Sequence, residues 1–363
     1  MQASQSEESG NFKYFPSLEG LRGIAVLVVM FHHMETRIFS VCDKFRGGFL
    51  GVDTFFVLSG FLITSILLSE REKTGKISLK NFYLRRGVRL VPAFWVYLLV
   101  VYFAGEYFLT KENFLLTTDS YNYISAIAYL TNWYNITGTP TALLSHIWSL
   151  AVEEQFYIIW SSVLYLAYKE KKNNRQILKF TLGLIGVLII IRAGRAFAGT
   201  EFEVLYFSTD SRMDGLLIGC VTAFVFKWKL ISEEFYKTKN FSHYATLCLC
   251  LSVMIFLVFA REDLALYYGG FSIFSLCVAV MILWLVKRSG TFVHRILEFR
   301  PLIWIGQVSY GLYLWHNVMF DFSRKTFVSA EAKILFGFAL TFIVCAASFY
   351  LIEKPFLKIK HKF

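Results

Sequence analysis

The sequence predicts an all-α polytopic membrane protein, on three observations. The chain of 363 residues is 56% hydrophobic with 38 Phe and a mean hydropathy of +0.51, more apolar than soluble domains are. Apolar runs long enough for a hydrocarbon layer of roughly 30 Å recur near 18–35, 50–68, 90–108, 147–167, 177–197, 211–228, 243–260, 264–286, 301–320 and 332–352. Lys and Arg gather in alternate connections, such as Arg71, Lys73, Lys76 and Lys80 between the second and third runs, as cytoplasmic loops do. About ten transmembrane helices with both termini in the cytoplasm satisfy all three. An additional span at 123–134 would invert every later loop. That short polar run is expected to be interfacial or re-entrant, inside a long outer loop at 108–146 that suits a lid or acceptor-facing element.

The net charge of +11 is explained by those loops, so a nucleic-acid partner is not expected. Cys42, Cys220, Cys248, Cys250, Cys277 and Cys345 form no CxxC pair and lie mostly in apolar runs. They are expected as small core residues, with neither a disulfide framework nor a metal site. Residues 1–16 form a polar tail, acidic at first, that lacks the order of a cleavable signal peptide. Residues 358–363 are a basic tail, and 17–357 form a single membrane domain without repeats.

In the first span, SLEGLRGIAVLVVMFHHM, Arg22 and His33 are eleven residues apart. Eleven steps of about 100° return to one face and climb roughly 16 Å, half the hydrocarbon layer. Arg22 is placed near one interface and His33 near the midplane, where ionisable groups are usually functional; His32 points elsewhere and is the weaker candidate. The second span carries Asp53 near its outer end and Ser59 near its middle, with Gly51 and Gly60 allowing close helix packing. The segment NFYLRRGVRLVPAFW follows, and Arg86 and Arg89 share a face if the helix extends that far. Two guanidinium forks at that spacing suit phosphate.

The fourth span opens HIWSLAVEEQFY, with Ser149 one turn above Glu153 and Glu154 adjacent. Acids there can simply stabilise a helix start, but Glu153 is deeper than a cap. The sixth begins STDSRMDG, where Asp210, Arg212 and Asp214 can bridge one another, Arg212 can pair with Asp53 or Glu153, or the group can touch substrate. The ninth carries Ser309 and His316, and the last ends YLIEKPF, where Pro355 is expected to stop the helix. Arginines thus gather on the inner side, a histidine at mid-depth, and Asp53, Glu153, Arg212, Asp214 and His316 on the outer side. This layout suits a phosphate-bearing donor from inside, a polar acceptor from outside and a base between them.

LEGLRGIAVLVVMFHH, GGFLGVDTFFVLSGFLIT, FYLRRGVRLVPAFW, WSLAVEEQFY, SYGLYLWH and IEKPF, in this order, resemble the successive motifs of the membrane acyltransferase-3 family, whose members O-acylate bacterial polysaccharides and related acceptors. The resemblance runs from about 14 to 357, and the chain is expected to be the membrane module alone, without the hydrolase-like domain that follows in some members. Its Arg-x10-His pattern falls on Arg22 and His33, its Arg-x-x-Arg pattern on Arg86 and Arg89, and its Trp-Ser-Leu-x-x-Glu pattern on Trp148, Ser149, Leu150 and Glu153. It implies an O-acyltransferase, acetyl first among acyl groups, in the bacterial cytoplasmic (inner) membrane. The donor would be a cytoplasmic acyl-CoA, acetyl-CoA foremost; the acceptor would be a cell-envelope glycan or lipid-linked sugar. Arg86, Arg89 and Arg22 would hold the coenzyme, and His33 would act as general base or acyl carrier. Glu153 or Asp53 would assist catalysis, with Ser149, Arg212, Asp214 and His316 as substrate contacts. The competing reading is a proton-coupled secondary transporter using the same His, Glu and Arg groups, against which the absence of an internal duplication counts.

Overall fold

Backbone amides among apolar side chains must bond to one another, and a helix achieves this within one segment. The computed structural model describes residues 13–35, 46–108, 120–138 and 143–359, and among these it contains helices and no strand. The expected apolar runs fall on helices α1 (Pro16–Met34), α2 (Leu50–Thr74), α3 (Leu79–Phe108), α4 (Trp148–Lys169) and α5 (Asn174–Phe197). They continue with α6 (Thr209–Lys227), α7 (Lys239–Val258), α8 (Phe271–Lys287), α9 (Ser309–Thr326) and α10 (Ala330–Ser348). The run at 123–134 becomes two short helices, Ser120–Ile127 and Thr131–Thr137. Cys42, most of both tails, and residues 109–119 and 139–142 of the expected outer loop lie outside the described residues.

Among the described residues, six helical segments are long and apolar enough to cross a membrane: Arg46–Thr74, Leu79–Phe103, Asn174–Phe197, Lys239–Val258, Leu266–Lys287 and Ala330–Lys358. The helices α1, α4, α6 and α9 are not among them. They carry Arg22 and His33, Ser149 and Glu153, Arg212 and Asp214, and Ser309 and His316, whose polarity lowers the mean hydropathy of each.

Local geometry departs from expectation in three places. The third helix begins at Leu79, eleven residues before its apolar run, because Ser78 Oγ accepts the Asn81 amide at 3.4 Å; Arg86 and Arg89 are therefore helical. The ninth run is interrupted at Val308, between a helix at Arg300–Gln307 and α9. Pro355 does not end the last helix. A π-helical turn at Phe349–Glu353 leads into Lys354–Ile359, where Pro355 is the second residue and its missing N–H is tolerated.

Helix α2 is the core of the bundle: 78% of its apolar window is buried, against 22–28% for the windows on α3, α5, α7 and α10. It meets α6 backbone to backbone. A Cβ on Gly60 would stand 1.9 Å from the carbonyl oxygen of Leu216, and one on Gly219 2.1 Å from that of Val57. Gly51 plays the same part toward α1, 2.5 Å from the Ala25 oxygen. The close packing expected of Gly51 and Gly60 is thus present. Cys220, Cys277 and Cys345 are buried, Cys248 is half-buried and Cys250 is exposed, all as free thiols.

Because backbone cannot yield as a side chain can, Gly60→Val is expected to destabilise the protein by about 1–3 kcal/mol or more through overpacking. Gly183→Ala, whose added carbon meets nothing within 4 Å, is expected to leave the melting temperature level or raise it. Thermal unfolding of the detergent-purified variants checks the contrast.

Candidate active site

An ionisable side chain inside an apolar bundle needs a partner, and here the partners come from neighbouring helices. Arg22 on α1 donates from Nη2 to Ser309 Oγ on α9 at 3.2 Å, with Glu19 Oε2 3.6 Å from Nη1. Farther along the same two helices, His33 Nδ1 meets His316 Nε2 at 2.8 Å, the rings stacked at 4.9 Å and 20°. The two contacts are about 16 Å apart along α1 and about 10 Å apart along α9; the long Arg22 side chain makes up the difference. The face-sharing expected of Arg22 and His33 therefore takes the form of a polar seam between α1 and α9.

Below the histidines lies a cavity of about 320 Å³ lined by Arg22, Arg86, Arg89, Ser59, Ser149, Glu153, Glu154, Ser309 and Tyr313, among others, with apolar walls from Leu18, Phe55 and Leu62. Arg86 and Arg89 line it together, as their spacing on one helix face requires. Their bonding differs. Arg86 is engaged by Glu154, through Nε at 2.9 Å and Nη2 at 2.7 Å to Oε1, and its guanidinium lies 3.5 Å over the Tyr157 ring. Arg89 makes no hydrogen bond or ion pair among the described residues. Glu153 Oε1 accepts from Ser59 Oγ at 2.9 Å.

His33 and His316 do not line this cavity. Tyr313 stands at the boundary: it lines the cavity, its ring is 5.7 Å from His316 and 5.5 Å from His146. Its hydroxyl donates to the His146 carbonyl at 2.6 Å and is 2.6 Å from Ser149 Oγ. His146 in turn lies edge-on to His316 at 5.2 Å. His32, the weaker candidate, is buried against Gly48 and Phe49.

The acids and arginine expected on the outer side form a pair of ion bridges. Asp53 Oδ1 accepts from Arg212 Nη2 at 2.6 Å with both side chains buried, and the guanidinium lies 3.9 Å over Phe271 and 5.0 Å over Tyr206. Asp53 Oδ2 and Arg212 Nη1, both buried, keep hydrogen-bonding capacity that no described residue uses. Asp214 belongs to Arg192, at 2.7 Å, and to Ser272, at 2.5 Å. Of the pairings open to Arg212, the one with Asp53 is formed. Neither Asp53 nor Glu153 bonds His33.

Sequence reasoning did not single out Arg192, Tyr313, His146 or Tyr157. Arg192 had a signal, since it follows five unbroken aliphatic residues from Val187 to Ile191; in the fold it is 1% exposed. Tyr157 and Tyr313 sit in aromatic-rich stretches with nothing local to distinguish them, and His146 follows an aliphatic pair ahead of the fourth span.

A family model described as an acyltransferase domain matches residues 15–353. The peptidoglycan O-acetyltransferase OatA of Listeria monocytogenes is 35% identical over 360 residues, covering 95% of this chain and 56% of that protein. The O-acetyltransferase OatA of Staphylococcus aureus is 33% identical over 366 residues, covering 95% and 58%. The chain thus spans less than two thirds of the length of these relatives. No solved structure matches.

Removing one member of a buried ion pair strands the other. Arg212→Ala is expected to cost about 3–5 kcal/mol of stability, and the double variant Asp53→Ala, Arg212→Ala is expected to recover part of that loss. Thermal unfolding of the single and double variants checks it; additive losses would show that the pair is not coupled.

Proposed function

The chain belongs to the acyltransferase-3 family, and from that premise we propose an integral-membrane O-acetyltransferase of the bacterial cytoplasmic membrane. It takes acetyl from cytoplasmic acetyl-coenzyme A and esterifies a hydroxyl of a cell-wall glycan on the opposite face. The observation that carries this reading is the cavity containing Arg22, Arg86 and Arg89, in which Arg89 has a guanidinium committed to no described residue. The residues fit the donor: arginines for phosphates, apolar walls for a pantetheine arm, and the hydroxyls of Ser149 and Tyr313 deeper along the helices. Arg89 with Arg22 makes the first phosphate contacts, and Arg86 stands behind them on Glu154. The name of the Listeria relative points to peptidoglycan as the acceptor. The ten-helix arrangement, with both termini cytoplasmic, belongs to the same proposal, and it sets the arginines at the inner side.

In the reaction His33 is the general base. The acceptor O–H proton moves to the imidazole, the oxygen bonds to the thioester carbonyl carbon, the C–S bond breaks, and the proton passes to the departing sulfur. The unused capacity of Asp53 Oδ2 and Arg212 Nη1 suits acceptor hydroxyls. Tyr313, between cavity and histidines, is the side chain the acyl group must pass.

The test is purified chain in nanodiscs with radiolabelled acetyl-coenzyme A and chitopentaose. Alkali-labile label on the glycan is expected; no label transfer in nanodiscs, with uptake of solute when the same protein is placed in sealed proteoliposomes, would overturn the proposal in favour of transport. His33→Ala is expected to lower turnover by about 100-fold or more with an unchanged melting temperature. Arg89→Gln is expected to raise the KM for acetyl-coenzyme A about tenfold or more with little change in kcat; an unchanged KM would remove Arg89 from donor binding.

A further inference from the structure

We propose that His316 is a positioning residue that holds His33 in its Nδ1–H tautomer and thereby sets the basic lone pair on His33 Nε2. The proposal rests on the general-base reading of His33 given above. His316 is fully buried on α9; its Nδ1 lies 3.1 Å from the backbone oxygen of Leu312 and its Nε2 lies 2.8 Å from His33 Nδ1. A carbonyl oxygen can only accept, so His316 Nδ1 carries hydrogen. A neutral imidazole has one N–H, which leaves His316 Nε2 with a lone pair. The hydrogen in the 2.8 Å contact therefore belongs to His33 Nδ1, and the lone pair of His33 lies on Nε2.

The origin of this order is the helix itself. Leu312 is one turn before His316, so α9 presents the accepting oxygen to the ring wherever that turn is intact. Enzymes usually orient a histidine base with a carboxylate or a backbone carbonyl. Here the two carboxylates that might have served bond elsewhere: Asp53 to Arg212 and Glu153 to Ser59. A neutral imidazole, itself anchored on a carbonyl, sets the tautomer without placing a second charge in the apolar interior. It also selects the form that a free histidine side chain adopts less often in water. When the acceptor proton bonds to His33 Nε2, the imidazolium keeps its Nδ1–H on His316. On collapse the same proton leaves for the sulfur, and His316 ends as it began.

The experiment uses the full chain in nanodiscs, with acetyl-coenzyme A and chitopentaose. His316→Phe is expected to lower kcat about 100-fold or more, as wrong-tautomer variants do, with the KM for acetyl-coenzyme A within about twofold. His316→Gln, whose amide oxygen can accept from His33 Nδ1, is expected to return kcat to within about tenfold of the parent. A kcat for His316→Phe within about threefold of the parent, or no rescue by His316→Gln at equal melting temperature, would overturn the proposal. Nitrogen-15 NMR of histidine-labelled parent protein, with the His33 signals assigned by difference from His33→Ala, gives a reading that does not depend on variant folding. A protonated Nδ1 and an unprotonated Nε2 are expected; the reverse tautomer would end the proposal while leaving His33 as base. If His33→Ala retains full turnover, it is the general-base reading that fails, and the positioning role falls with it.

Discussion

Charge held inside an apolar bundle must be matched across helices, and the rest of this molecule follows from that constraint. Arg212 reaches Asp53 from α6 to α2, and Arg192 ties α5 to Asp214 on α6 and Ser272 on α8. Ser59 and Glu153 link α2 to α4, and Arg86 and Glu154 link α3 to α4. Each bond satisfies a group that would otherwise be costly to bury, and each also fixes how two helices are turned toward one another. Against that background the unsatisfied groups stand out. Arg89 in the cavity, with Asp53 Oδ2 and Arg212 Nη1 in their buried ion pair, hold capacity that the fold leaves for something else.

Much of the helical architecture was readable from residues alone, because apolar run length is a local property. Each expected run falls on helix, the ninth broken at Val308, while Arg86 and Arg89 share a face and Gly51 and Gly60 sit at close helix contacts. Partner choice was much less readable, since it is decided by tertiary packing. Nothing near His33 announces that its ring meets His316 and neither acid, and nothing near Arg86 announces that Glu154, the less favoured of two adjacent acids, occupies its fork. Local backbone surprises had the same cause. Pro355 reads as a stop signal, yet a π-helical turn before it lets the chain wind on.

The polar seam between α1 and α9 joins what the helices otherwise keep apart. At one end Arg22 and Ser309 border the cavity; at the other, His33 and His316 lie beyond it, with Tyr313 between. The hydroxyl of Tyr313 is held by a backbone carbonyl and by Ser149, so its position depends on where α4 begins. Ser149 thereby bears on the boundary of the cavity as well as on its lining.

The glycine contact of α2 with α6 has a mechanical consequence. Two backbones with no side chain between them have no lubricating layer, so neither can rotate or slide without collision. They travel as one girder, carrying Asp53 and Arg212 at constant separation. Any breathing of the bundle must then be borne by the peripheral helices, and the central beam serves as the frame against which they swing.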